Sequence, residues 1–437
     1  MRNVSWLTGI LLPLLPLGLQ GEDWPQFRGP HRDGISRETG LRKDWPKDGP
    51  RLLWTSEQAG LGYAGPAVVG ERMYLAGGRG DSEFLMALDL NNVTGGTPKE
   101  VWSTRIGPLF QWKGNSWNNG PNATPTVGGG RVYALGGFGD LICVDAATGK
   151  ELWRKNLPKD LGGEVNPIGG GLEEPTPLGW GYSSAPLLDG NHLICVPGGK
   201  RGLLAALDPA TGAVQWQSQE ITDQASYSSP LALEVGGVRQ YVQVTNAGIV
   251  GVAASDGKRL WSYRREPAFD DVVITTPVYH DQHLYATVGF GQGCDLIKLT
   301  PQGGQITAEK VYSTKSVANR DGGMVLVEGY LYGYAENRGW VCQEFKTGKI
   351  VWAERNKLAR GSVTYADGHL YCCAEKDGVV ALVAASPKGW SEKGRCQLPR
   401  ESSKRRPNGG LWTHPVVANG RLYLRDQELL FCYDLRP

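Results

Sequence analysis

The chain of 437 residues sets 46 Lys and Arg against 44 Asp and Glu, a formal net charge of +2 that excludes a global field steering it to nucleic acid or acidic membranes. Its 62 Gly, 15 Trp and 17 Tyr, beside only 8 Phe and 4 Met, favour many short strands and tight turns over long helices. Beyond the N-terminus no apolar run is long enough to span a bilayer.

In chain order, Arg2 precedes an apolar stretch from Trp6 to Leu19 that is interrupted by Pro13 and Pro16 and followed by the small residues Gly18 and Gly21. This predicts a secretory signal peptide over residues 1–21, cleaved after Gly21, and hence a periplasmic or extracellular protein with no transmembrane segment once the signal is removed. Residues 22–437 then form one domain.

From residue 65 onward a unit repeats. One copy reads Asn122-Ala-Thr-Pro-Thr-Val-Gly128, Arg131-Val-Tyr-Ala-Leu135, Gly139-Asp-Leu-Ile-Cys-Val-Asp145 and Thr148-Gly-Lys-Glu-Leu-Trp153. The short alternating runs are half-buried strands, and the intervening Gly and Asp-Gly positions supply hairpin turns. The interval from Gly to the closing Trp is the same for Gly149 and Trp153, Gly212 and Trp216, Gly257 and Trp261, and Gly348 and Trp352. Trp102, Trp153, Trp216, Trp261, Tyr312, Trp352 and Trp390 close seven units, and an eighth ends at Tyr433-Asp-Leu435 without its Trp strand. Arg51-Leu-Leu-Trp54 is the missing strand. The prediction is an all-β chain forming a single eight-bladed β-propeller of four-stranded blades, its ring closed by the N-terminal strand Arg51–Trp54 in the last blade, so that no sheet edge is left open there.

Cys143, Cys342 and Cys432 occupy one repeat position, and Cys195 and Cys372 another. Equivalent positions in separate blades lie too far apart for disulfides, so these are expected to be small buried apolar residues. The neighbours Cys372 and Cys373 fall within a predicted strand after Tyr371 and read as strand residues. Lys404-Arg-Arg406 reads as a solvated loop.

The Asp-x-x-Thr-Gly-x-x-x-Trp units resemble the pyrroloquinoline-quinone (PQQ)-like propeller repeat, found in quinoprotein alcohol dehydrogenases and in non-enzymatic outer-membrane assembly propellers. The opening Asp23-Trp-Pro-Gln-Phe-Arg-Gly-Pro30, followed by Asp33-Gly-Ile-Ser36, resembles a group of exported bacterial PQQ-like propellers. The resemblance spans essentially all of residues 22–437. It implies the propeller fold and two alternative functions.

In such a ring the residues just before each Ser/Thr-x-Pro unit converge on one channel face. These are Trp117, Asn118 and Asn119, Trp180 and Tyr182, Tyr227, Asp270 and Asp271, Asn319, Arg320 and Asp321, and Trp412 with His414. Two long connections, Ser103 to Pro121 and Arg154 to Gly179, enter the same rim, and loops of that length in a compact fold are usually functional or disordered. Aromatic rings beside amides and carboxylates suit a flat polar ligand, a sugar or a peptide. The expected function is that of a monomeric exported binding or scaffold protein that holds a protein or carbohydrate partner through this face. On the alternative reading the chain is a quinoprotein oxidoreductase that uses PQQ and calcium to oxidise an alcohol or sugar. Asp270 or Asp271 would then be the base, Asn118, Asn319 and Asp321 the calcium ligands, and Arg320 the group facing the quinone oxygens.

Overall fold

The computed structural model describes residues 21–94, 96–168, 178–303 and 305–437; the predicted signal peptide lies outside these apart from Gly21. Eight antiparallel sheets follow one another around a ring, each of four strands except the seventh blade, which has a fifth. Their innermost strands are Ala67–Val69, Thr126–Gly128, Leu187–Asp189, Leu231–Val235, Val278–His280, Val325–Val327, Gly361–Ala366 and Val416–Ala418, which define blades 1 to 8. Among the described residues the one helix is the five-residue Leu157–Leu161.

The ring closes as the sequence predicts. Leu52–Ser56 is the outer strand of blade 8 and pairs antiparallel with Leu429–Asp434, Trp54 opposite Cys432. The strand begins one residue later than expected and ends two later.

The Gly-to-Trp interval has a physical cause that lies between blades rather than within one. Trp102 of blade 1 donates its indole N–H to the Ala146 carbonyl in the blade 2 turn, at 3.2 Å. Trp153 and Trp216 do the same to Pro209 and Ala254, each at 3.0 Å. Each indole lies flat on the glycine of that next turn. A Cβ on Gly149 would stand 2.5 Å from Trp102 Cδ2, and one on Gly257 2.4 Å from Trp216 Cε3. Both glycines also have positive φ, +72° in each case, so two independent constraints select Gly there. Blade 5 lacks the tight turn, its outer strands instead being the long hairpin Gly293–Gln302 and Gln305–Thr314, so Trp261 of blade 4 turns to Gln240 of its own blade.

Alternation along each strand builds a core in every seam between blades. Cys372 packs with Tyr332 and Trp340 toward blade 6, whereas Cys373 packs with Leu422 and Phe431 toward blade 8. All eight cysteines are buried free thiols, among them the five whose repeat positions predict it, Cys143, Cys195, Cys342, Cys372 and Cys432.

The opening segment has a role that the repeat did not disclose. Residues 22–38 lie across the end of the central channel at the first-hairpin turns. The Trp24 and Val68 backbones exchange hydrogen bonds of 2.7 and 2.8 Å, and Val127 N–H donates to Pro25 O at 2.8 Å. The buried Arg32 donates to the carbonyls of Ala185, Pro186 and Pro230 in blades 3 and 4. Arg28 reaches Gly322 and Met324 at blade 6. Ile35–Ser36 adds the fifth, parallel strand inside blade 7, and Glu38 accepts from Gly420 N–H in blade 8 at 2.9 Å. This plug therefore ties seven of the eight blades together. Burial lowers the Arg32 guanidinium to about 9 and Arg28 to about 10, and both remain cationic at neutral pH, held by carbonyl dipoles.

Candidate functional site

Above the plug the channel widens into a cavity of about 1260 Å3, counted with its open mouth. Trp24, Phe27 and Arg28 of the plug line its floor, so the cavity is entered from the loop-rich rim. Five blades place one aromatic side chain each just ahead of their inner strand: Trp412 for blade 8, Tyr63 for blade 1, Trp117 for blade 2, Trp180 for blade 3 and Tyr227 for blade 4. The rings form a continuous crescent. Tyr63 and Trp412 stand 4.8 Å apart between centroids, Trp412 and Trp117 stack at 6.3 Å, Trp117 and Trp180 meet at 6.1 Å, and Trp180 and Tyr227 at 5.3 Å.

Hydrogen bonds fix these rings. Tyr63 Oη donates to Trp117 O at 3.1 Å, Trp412 Nε1 to Glu375 Oε2 at 3.0 Å, and Tyr227 Oη accepts from Trp180 N–H at 3.0 Å. The loop bearing Trp117 is braced from blade 8, where Arg406 donates to Asn115 O and Asn408 to Ser116 Oγ. In the run Lys404-Arg-Arg406 only Lys404 is thus solvated, while Arg406 is held by this contact. Arg405 also forms a two-pronged ion pair with the buried Asp426, both bonds at 2.8 Å.

The opposite wall, from blades 6 and 7, is charged. Arg360 sits between Asp321, at 3.5 Å, and Glu375. Arg320 pairs with Glu336 at 3.3 Å and lies over the Phe290 ring at 4.9 Å. Burial, reinforced by the neighbouring Glu375, raises the Asp321 carboxyl well above the usual carboxylate range. Burial, with Arg28 nearby, lowers the His414 imidazole to about 3, so the ring is neutral.

Of the sequence-derived positions, Trp117, Asn118, Trp180, Tyr227, Arg320, Asp321, Trp412 and His414 line the cavity. Asn119, Tyr182 and Asn319 are not among its lining residues. Tyr182 is buried in the seam between blades 2 and 3 and donates to Pro197 O at 3.2 Å. Asn319 is buried and engaged, donating to Tyr334 O at 2.9 Å and accepting from Gly323 N–H at 3.0 Å. Asp270 is exposed and accepts from Gln292, and Asp271 accepts from the Val272 N–H at 2.7 Å; neither lines the cavity. Of the two long connections, Ser103 to Pro108 belongs to an outer strand, and residues 169–177 of the second fall outside the described part.

The rule used on the sequence would also have found Tyr63 and Arg360, which precede blades 1 and 7. Glu375, Glu336 and Phe290 follow second strands, whose ends reach the same rim, and no repeat position marked them.

The residues do not fit PQQ and calcium. Asn118 precedes blade 2 while Asn319 and Asp321 precede blade 6, on opposite sides of an eight-membered ring. Asn118 Oδ1 is taken by Asn115 at 2.8 Å, and Asn319 is spent on backbone. A quinone bearing three carboxylates also needs cations, yet of the three lining arginines Arg320 and Arg360 are already matched by carboxylates, which leaves Arg28 alone.

The family model described as outer membrane protein assembly factor BamB matches residues 87–294. The assembly factor BamB of Moranella endobia is 22% identical over 314 residues, covering 66% of this chain and 70% of its own. That of Yersinia pestis is 23% identical over 339 residues, covering 76% and 77%. Among solved structures, BamB of Moraxella catarrhalis superposes with a TM-score of 0.58 at 16% identity, over 88% of this chain and 99% of its own. The quinohemoprotein alcohol dehydrogenase of Comamonas testosteroni gives a TM-score of 0.58 at 13% identity, over 94% and 80%. At such identities these structures share the fold and nothing finer. Residues 87–294 thus match the assembly-factor family model, and the whole described ring shares the β-propeller fold of these solved structures.

Proposed function

We propose that this is an exported binding propeller of the cell envelope, which holds a partner or its ligand in the aromatic-lined mouth of the channel and performs no chemistry on it. The single observation that carries this reading is the division of the rim into a crescent of five interlocked rings facing a wall of mutually neutralised charges. Flat apolar surface with a few convergent polar groups is the usual composition of a recognition site. The relatives named as outer membrane assembly factors support a scaffold role and favour the periplasm over the extracellular space. On this reading the chain is a monomer, residues 22–437 are its working domain, and residues 1–21 are the export signal.

The test is a screen of the purified protein on immobilised peptides and glycans, run beside Trp117→Ala. Ligands retained by the wild type and lost by Trp117→Ala support the cavity as the binding surface. Retention of every ligand by the variant places binding elsewhere and overturns the proposal.

A further inference from the structure

We infer that the cavity recognises the terminal residue of a neutral saccharide, seated with its C–H face on the aromatic crescent and its hydroxyls toward the Asp321–Arg360–Glu375 cluster. The inference rests on the binding reading above and narrows its ligand.

Four observations lead to this class. The first is the crescent, whose broad indole faces match the apolar C–H face of a pyranose and leave its equatorial hydroxyls free to point across the cavity. The second is the mixed hydrogen-bonding character of the opposite wall. A hydroxyl both donates and accepts, and this wall and the adjoining floor offer both kinds of group: Asp321 Oδ2 as acceptor and Ser362 Oγ as either on the wall, and Arg28 Nε as donor on the floor, all three buried and without a partner among the described residues. Unpaired buried polar atoms are costly, and these gather at one cavity.

The third observation is charge balance. Three arginines at the cavity, Arg28, Arg320 and Arg360, stand against three carboxylates, Asp321, Glu336 and Glu375, so the formal charge balances and favours neither an anionic nor a cationic ligand. The fourth is the closed floor. Trp24, Phe27 and Arg28 block the channel, so a polymer cannot thread through and only a chain end fits. An extended peptide is disfavoured by the same plug. Strand addition needs a free inner edge, and Trp24 and Ile35–Ser36 already pair with the inner strands of blades 1 and 7.

The experiment is isothermal titration of the full folded protein with cellotriose, maltotriose, chitotriose and trigalacturonate. The variants are Trp412→Ala, the nearly isosteric Asp321→Asn and, on an exposed outer strand, Leu152→Asp. The expected result is one-to-one binding of at least one neutral trisaccharide. Asp321→Asn and Trp412→Ala should each weaken it at least tenfold, Leu152→Asp should leave it unchanged, and trigalacturonate should bind at least tenfold more weakly. Near-ultraviolet circular dichroism establishes that each variant is folded, and Asp321→Asn alone decides the matter should Trp412→Ala not fold. Tighter binding of trigalacturonate, or equal binding by wild type and Asp321→Asn, overturns the inference. Absence of heat with every neutral trisaccharide also overturns it. In that case, peptides lost by Trp117→Ala in the screen above would leave the binding reading standing, whereas retention of every ligand would remove both.

Discussion

Trp24 and Val68 exchange backbone hydrogen bonds of 2.7 and 2.8 Å, so a segment outside the repeats pairs antiparallel with the innermost strand of blade 1. From there the chain crosses the channel, and its two arginines replace the ladder bonds that neighbouring inner strands cannot give one another. Arg32 is the sharper test because it serves three carbonyls in two blades. Arg32→Met keeps the length and removes the donors, orphaning buried acceptors at about 1–3 kcal/mol each. A loss of about 3 kcal/mol or more in urea-unfolding free energy is expected. A loss below about 1 kcal/mol would show that the plug is peripheral.

Ring closure depends on Trp54, buried in blade 8 opposite Cys432 and beside Tyr423. Trp54→Ala removes a large core side chain and is expected to cost about 3–5 kcal/mol. It should also open the seam between blades 8 and 1, seen as faster amide exchange across Leu429–Asp434 than across blade 4.

The interlock between Trp102 and the Gly149 turn predicts a specific non-additivity. Gly149→Ala adds a methyl 2.5 Å from Trp102 Cδ2 at a residue with φ of +72°. It should destabilise by about 2–4 kcal/mol through strain and overpacking together. In a Trp102→Ala background the overpacking disappears and only the strain of about 1 kcal/mol remains. A double-mutant cycle measures the difference, and additive effects would refute the interlock.

Two buried groups give opposite pH dependences. Burial raises the Glu83 carboxyl to about 7 despite the Phe110 and Gly137 N–H groups it accepts from, so the folded protein holds a proton that the unfolded chain releases near 4.5. Its stabilisation is full below 4.5 and is lost as pH rises through 7. His414, lowered to about 3 against 6.5 unfolded, works the other way: its contribution is full above 6.5 and is lost as pH falls toward 3. Glu83→Gln should therefore flatten the fall in stability between pH 4.5 and 7, and His414→Gln should flatten the loss on acidification below 6.5. Urea midpoints across pH 4 to 8 test both signs.

Eight buried free thiols predict that a thiol reagent modifies essentially none in the native protein and eight after denaturation without reductant. A total of six would indicate a bond between Cys372 and Cys373, which point to opposite seams.

The repeat frame was legible because each closing Trp and each turn Gly serve the same contact, which leaves a fixed interval in the chain. The crescent was largely legible for a related reason, since Trp117, Trp180, Tyr227 and Trp412 precede inner strands by rule. Single residues within those segments were not, because the chain there is irregular turn and loop, with no period to say which side chain faces the cavity. Trp180 and Arg320 face the cavity, whereas Tyr182 turns into a seam and Asn319 into the backbone. The plug left no periodic trace at all. Its partners lie far along the chain, as with Glu38 and Gly420, and a segment that binds seven blades once each repeats nothing.

The central claim is that the cavity is a binding site and not a quinone site. Titration of the protein with PQQ in excess calcium, followed by Trp fluorescence and equilibrium dialysis, tests it most directly. The account predicts no saturable calcium-dependent binding in the micromolar range. Saturable binding that requires calcium and is lost in Asp321→Asn would contradict it and establish the quinoprotein alternative.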